Sequence, residues 1–177
     1  MKHANTLKTI VGFIQSVLSR WIPALAKHER LEDIYNYLPI DGLYATSGQP
    51  SEAQFELVKD AGFTSVINLA PTSKLENSLI EEARILEDLG LKYVHIPVDF
   101  KNPTDADFDA FMQALGEDPS KTWVHCAANM RVSAFTYRLR TQIRNESHAE
   151  AAADLEKIWE PTGVWTQFLK LTDESKD

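Results

Sequence analysis

A single cysteine in 177 residues excludes an internal disulfide framework, so nothing in this chain calls for an oxidising compartment. A lone thiol is safer in a reducing one, which favours the cytoplasm. Excess positive charge is missing too. With 18 Lys and Arg against 26 Asp and Glu, the formal charge is −8, and the clustered cations that bind a phosphate backbone are not there, which excludes nucleic acid as a partner. An anionic substrate would be repelled at long range, so an anion site must be a local positive focus. The sequence holds only 7 glycines, no Gly-rich linker, no internal repeat, and no apolar run long enough to span a bilayer. What it does hold is 44% hydrophobic residues, enough for one domain with a real core and too little chain for two comfortable ones.

The cysteine stands in the most informative stretch, Trp-Val-His-Cys-Ala-Ala-Asn-Met-Arg-Val-Ser at residues 123–133. It ends an apolar segment that reads as a buried strand, and a helix is expected to start just beyond it. Backbone N–H groups at a helix N-terminus stabilise a thiolate, the nucleophilic form of cysteine. Arg131 adds a planar, permanently charged fork that matches the oxygens of a phosphate or similar oxyanion. A cation in the first helical turn opposes the macrodipole unless an anion sits there, so Arg131 itself points to a ligand. The loop has no glycine to turn its backbone, and Asn129 is the residue best suited to the left-handed conformation. Cys126, the amides of Ala127, Ala128, Asn129 and Met130, and Arg131 are therefore expected to form an anion cradle.

These residues resemble the cysteine-dependent tyrosine and dual-specificity phosphatase superfamily, whose signature is His-Cys, five variable residues, Arg, then Ser or Thr. Here four residues separate Cys126 from Arg131, and Val132 precedes Ser133. That spacing is similar to a bacterial phosphatase-like branch, some members of which are fused to hydrolases of the metallo-β-lactamase fold. Gly48-Gln49-Pro50, Ser65 to Leu69 and His95-Ile96-Pro97-Val98-Asp99 look like further landmarks of that branch, so the likeness covers roughly residues 40–170. It implies a dual-specificity-phosphatase-like α/β fold and a two-step, phosphocysteine mechanism with no metal or other cofactor. It also implies a carboxylic acid near Asp99, a hydroxyl on Ser133 that bonds the departing sulfur, and His125 supporting the loop from below. Asp99 is the candidate acid, because it follows a strand and the Pro97 bend; Asp105 and Asp107 are the alternatives, each also suited to a helix N-terminus. The implied substrate is a phosphorylated protein or a small phosphate ester. An anion-binding regulatory module without turnover and a sulfurtransferase or arsenate-type thiol enzyme are the other readings of the same loop.

Around that loop, strands alternate with helices. Strands are expected at Leu43 to Thr46, Thr64 to Leu69, Lys92 to Ile96 and Thr122 to Cys126. Helices are expected after the capping boxes at Ser51 and Ser78, from Thr104 to Leu115, from Arg131 to Arg144, after Ser147, and from Val164 to Leu171. Such alternation predicts a mostly parallel sheet flanked by helices, with ligands at the carboxyl ends of the strands. Trp159, Trp165 and Phe168 read as core. Residues 1–39 read as an amphipathic helix plus a short helical linker, and 40–177 as the phosphatase-like domain. Ile10, Phe13, Ile14, Val17, Leu18, Trp21, Ile22 and Leu25 fall on one helical face, expected to pack on the domain or on a partner, another copy included. Its few cations argue against strong attachment to an anionic membrane. Ala24-Leu25-Ala26 would be a cleavage site if residues 1–26 acted as an export signal, but Gln15, Ser16 and Arg20 interrupt the apolar run such a signal needs.

Overall fold

Strand β5, Thr122–His125, is buried at all four positions and runs through the centre of a five-stranded sheet. The computed structural model describes residues 2–21, 30–73, 78–79, 81–116 and 120–170. Its sheet has the order β1-β2-β5-β3-β4, with β1 at Leu38–Pro39, β2 at Tyr44–Ser47, β3 at Ser65–Asn68 and β4 at Lys92–His95. All pairings are parallel except that of β1 with β2, which makes this the mostly parallel α/β architecture the sequence predicts. Strand β3 is likewise buried throughout, as parallel strands covered on both faces are.

The two faces of the sheet bury two cores, and alternation along the strands divides the residues between them. Val66 and Trp123 point to one side, where Phe55 and Val58 of helix α2 (Glu52–Asp60) and Leu86 of α3 (Glu82–Asp88) cover them. Trp123 is held there between Tyr37, stacked at 5.5 Å, and Phe63, edge-on at 5.1 Å. Ile67 and Val124 point to the other side, under α4 (Asp105–Leu115), α5 (Met130–Arg138), α6 (His148–Ile158) and α7 (Val164–Phe168). Phe135 sits at the centre of that core, in contact with Phe108, Phe111 and Phe168. Trp159, Trp165 and Phe168 are core residues, as expected.

The capping signals mostly act where the sequence puts them. Ser51 and Gln54 bond each other's backbone at the start of α2, Thr104 and Asp107 do so for α4, and Ser147 accepts from the N–H of Glu150 for α6. Ser78 does not cap a helix. Its hydroxyl donates to the carbonyl of Pro71 and accepts from the N–H of Ser73, which closes a turn, and α3 starts later at Glu82. The helix behind the cysteine is α-helical only to Arg138, and a π turn spans Leu139–Ile143, within which Thr141 donates to the carbonyl of Tyr137. Strand β1 escapes a periodicity reading because two residues carry no period. Among its described residues the linker holds a 3₁₀ turn, Leu31–Asp33, ahead of the buried Ile34.

The first helix, α1, runs from Lys2 to Trp21, and it meets the domain with the side opposite to the apolar face expected to pack on the domain or a partner. Its inward side is polar. Asn5 donates to the carbonyl of Glu156 and Thr9 to that of Ile158, while Thr6 accepts from the N–H of Glu160. Those carbonyls belong to the last turn of α6, where no helical donor remains for them. Docking by polar contacts leaves Ile10, Ile14 and Leu18 exposed and Phe13 and Val17 half-buried. Ile22, Leu25, the Ala24 to Ala26 segment and residue 171 lie outside the described residues.

Candidate active site

Strand β5 ends at His125, so Cys126 opens the loop at the carboxyl edge of the sheet's central strand, and α5 begins at Met130. Asn129 closes the turn with φ 64°, in the left-handed region. Its side chain is fully buried and donates to the carbonyl of Asn36 at 2.8 Å and to the hydroxyl of Thr46 at 3.0 Å. Asn36 returns a bond from its own amide to the carbonyl of Ala128 at 3.0 Å. The carbonyl of Ala127 accepts from the N–H of Gln49 at 3.2 Å. Loop carbonyls are thus tied outward. Among the described residues, no protein acceptor takes the N–H groups of Ala127 or Ala128, which are the donors an anion in the loop would use, while the antiparallel bridge of Gly48 with Ala128 turns the N–H of Asn129 toward the Ser47 carbonyl.

Asn129 is the point at which a substitution would test the turn. Asn129→Ala should destabilise the fold by roughly 1–3 kcal/mol, from the left-handed backbone and the two lost bonds, and Asn129→Gly by less because only the bonds are lost. Chemical denaturation of the two variants measures the difference; equal losses would show that the backbone conformation is not what selects asparagine.

Gly48 allows the loop its close neighbour. A Cβ there would lie 2.9 Å from the carbonyl oxygen of Ala127 and 2.5 Å from the ring of Tyr35, so a side chain at this position would push the cradle apart. The Tyr35 ring is wedged by burial, and its hydroxyl donates to the carbonyl of Thr9. Burial and the neighbouring Cys126 sulfur push that phenol above its ordinary range.

Arg131 is 3% exposed, and its Nε donates to the carbonyl of Val98 at 2.9 Å. The guanidinium lies over the ring of Phe100 at 5.1 Å. Phe100 is held in turn by Trp159 and Trp165, and Trp165 Nε1 donates to its carbonyl. The aromatic cluster is therefore core on one side and a backstop for the arginine on the other. Cys126, Ala127, Ala128, Met130 and Arg131 line one cavity of about 220 Å³, with Phe100 and the α1 residues Thr9, Ile10 and Phe13 as its further walls.

Beneath the loop, His125 is fully buried and its Nε2 lies 3.3 Å from Oε1 of Glu82. Glu82 is itself 4% exposed. It accepts from Gln49 Nε2 at 2.5 Å, Asn68 Nδ2 at 2.7 Å and the Tyr93 hydroxyl at 2.9 Å. Burial works against its charge, but the neighbouring His125 and the bonds from Gln49 and Tyr93 outweigh it and hold the carboxyl down to about 2. Burial and the same carboxylate push the Tyr93 phenol up. Glu82 went unnoticed in the sequence, although helical spacing sets it four residues before the buried Leu86.

The other candidates fall as follows. Asp99 is exposed and follows Val98, with its carboxylate accepting from the N–H of Lys101 at 2.9 Å. Ser133 is buried; its hydroxyl donates to the carbonyl of Met130 and accepts from Trp159 Nε1, and no bond from it to the Cys126 sulfur occurs among the described residues. Asp107 caps α4, and Asp105 lies 2.8 Å from Nη1 of Arg138. Among the described residues, no three His, Cys, Asp or Glu side chains converge as metal ligands would.

A cysteine at the end of the central strand, a tight amide-lined turn and an arginine in the following helix define a cysteine-based, tyrosine-phosphatase-like domain. The chain belongs to the family described as DSP-PTPase phosphatase fused to NAD+ kinase, whose model matches residues 20–169. A candidate phosphatase of the DUF442 family from Shewanella putrefaciens is 33% identical in sequence, with a TM-score of 0.69, and the match covers 79% of this chain and 92% of that one. The beta-lactamase hydrolase-like protein of Xylella fastidiosa is 33% identical over 89 residues, or 49% of this chain and 21% of that protein. The chain thus spans about a fifth of the length of that relative. The catalytic core of the PP-IP phosphatase Siw14 from S. cerevisiae shares the fold, with a TM-score of 0.65 at 16% identity over 81% of this chain and 88% of that one.

Proposed function

We propose that this chain is a metal-independent phosphatase that hydrolyses a phosphate monoester, phosphotyrosine, phosphoserine or a smaller ester, through a phosphocysteine. The observation that carries the reading is the single cavity shared by Cys126, the inner face of its loop and Arg131. The Cys126 thiolate attacks phosphorus in line, so that an S–P bond forms as the ester P–O bond breaks. The loop amides and Arg131 hold the equatorial oxygens while charge is spread over them. Asp99 gives its proton to the leaving oxygen, then takes one from the water whose oxygen attacks phosphorus and releases the thiolate. His125, braced by Glu82, supports the loop from below, and Ser133 props it through the carbonyl of Met130.

The test is turnover of p-nitrophenyl phosphate with a chelator present. Hydrolysis that orthovanadate blocks is the expected result, and no turnover across the acid to neutral range would leave only anion binding. Asp99→Asn should slow hydrolysis of phenyl phosphate by roughly 10²-fold or more, and that of p-nitrophenyl phosphate by less, because the better leaving group needs less help. It should also flatten the high-pH limb of the kcat profile, where an acid in its protonated form is lost. If Asp105→Asn flattens that limb and Asp99→Asn does not, the acid is Asp105.

A further inference from the structure

Helix α1 offers solvent an apolar stripe. Leu7, Ile10, Val11, Ile14 and Leu18, at spacings of three and four, are between 47% and 63% exposed, whereas the opposite side is fixed to the domain through Asn5, Thr6 and Thr9. The stripe is therefore not the packing face of this helix, and the polar groups that would ordinarily face water are spent on the end of α6. The charge of this part of the chain runs against that of the whole. Residues 1–28 hold four of the 18 Lys and Arg and none of the 26 Asp and Glu, in a chain of net charge −8. The family match begins at residue 20, so nearly all of α1 lies outside it.

The few cations of α1 argue against strong attachment by charge alone, but the exposed stripe adds an apolar attraction, and we propose that α1 lies in the surface of an anionic membrane, with the stripe among the acyl chains and the exposed Lys8 among the headgroups. An exposed apolar face on a basic helix is what interfacial binding requires. Each Lys or Arg near such a surface adds attraction, and salt screens the acidic domain from it. A second copy of the chain fits less well. Two such stripes would offer the exposed Lys8 of each copy no Asp or Glu on the other helix, and the repeat is shorter than the three to four heptads of a stable coiled coil. Ile10 belongs both to the stripe and to the wall of the Cys126 cavity. The mouth of the site accordingly opens at the lipid surface, within reach of a phosphate presented there. The docking itself does not depend on hydrolysis.

Flotation of the full chain with vesicles tests it. The wild type should float with phosphatidylcholine vesicles that contain phosphatidylglycerol, bind vesicles of phosphatidylcholine alone far less, and lose binding as salt is raised. Leu7→Ser with Ile14→Ser, which touches neither cavity nor domain contacts, should weaken partitioning roughly 100-fold. Lys8→Glu should weaken it for the anionic vesicles and leave the weak neutral binding unchanged. Circular dichroism of each variant confirms that the fold is retained. The proposal is overturned if the wild type stays soluble with both vesicle types, if the double variant floats as well as the wild type, or if sedimentation shows a dimer that the double variant abolishes while vesicles bind neither protein.

Discussion

Cys126→Ser should lower turnover of p-nitrophenyl phosphate by at least roughly 10⁴-fold and leave the fold almost as stable as before. The two halves of this expectation have separate causes. A serine hydroxyl at this site is isosteric enough to occupy the position but does not ionise near neutral pH, so the cradle has an anion to stabilise and no nucleophile to deliver. Stability is spared because the sulfur has no bond to a side chain among the described residues, and what holds the loop lies elsewhere: the outward-tied carbonyls of Ala127 and Ala128, the clasp between Asn36 and Asn129, and the bond from Arg131 to Val98. The variant should therefore still be stabilised against heat by tungstate, since the amides and the guanidinium remain. Retained turnover in Cys126→Ser would remove the phosphocysteine mechanism. Tungstate binding by both proteins with turnover by neither would mean an anion-binding module.

The parts of this site that could be read from the sequence are those written contiguously. Residues 122–133 hold a strand, a turn and a helix start in one stretch, and the left-handed asparagine follows from the lack of glycine there. The parallel sheet follows from apolar runs of strand length set between capping boxes. Residues brought in from a distance were not legible in the same way. The Gly48-Gln49-Pro50 landmark was visible, but its work, a bare Cα against Ala127 and an amide bonded to Glu82, depends on contacts that no local pattern encodes. Glu82 sits beside the exposed Glu81 and looks like one more surface acid until the fold turns it inward under His125. Phe100 looks like a core aromatic and is also the surface on which Arg131 rests. Helix α1 was legible as amphipathic, and its orientation was not, because the spacing of Ile10, Ile14 and Leu18 marks where the apolar face lies and says nothing of which acceptors await the polar one. Here the carbonyls at the end of α6 accept from the polar face and hold it inward.

Glu82→Gln should cost the fold on the order of 3 kcal/mol at neutral pH and make its stability less sensitive to acid. The carboxylate is the common acceptor for Gln49, Asn68 and Tyr93, and His125 lies against it. An amide offers those donors one oxygen in place of two and turns an NH₂ group toward the rest, so at least one buried donor is left facing another. The sign of the pH effect follows from the direction of the shift. In the folded protein the carboxyl is held at about 2, against an ordinary value of 4.5. A depressed carboxyl stabilises fully above its unfolded value, and that contribution is lost as pH falls from 4.5 toward 2. Over that window the wild type should lose on the order of 3 kcal/mol from this group, and Glu82→Gln, which cannot titrate, should not lose it. The two denaturation curves should therefore converge in acid. Parallel curves would show that the carboxyl is not the group that titrates, and that the variant is weakened by packing alone. Because His125 precedes Cys126 directly, the same substitution should lower kcat against p-nitrophenyl phosphate more than it raises KM. That split separates a brace beneath the nucleophile from a residue that only holds the fold together.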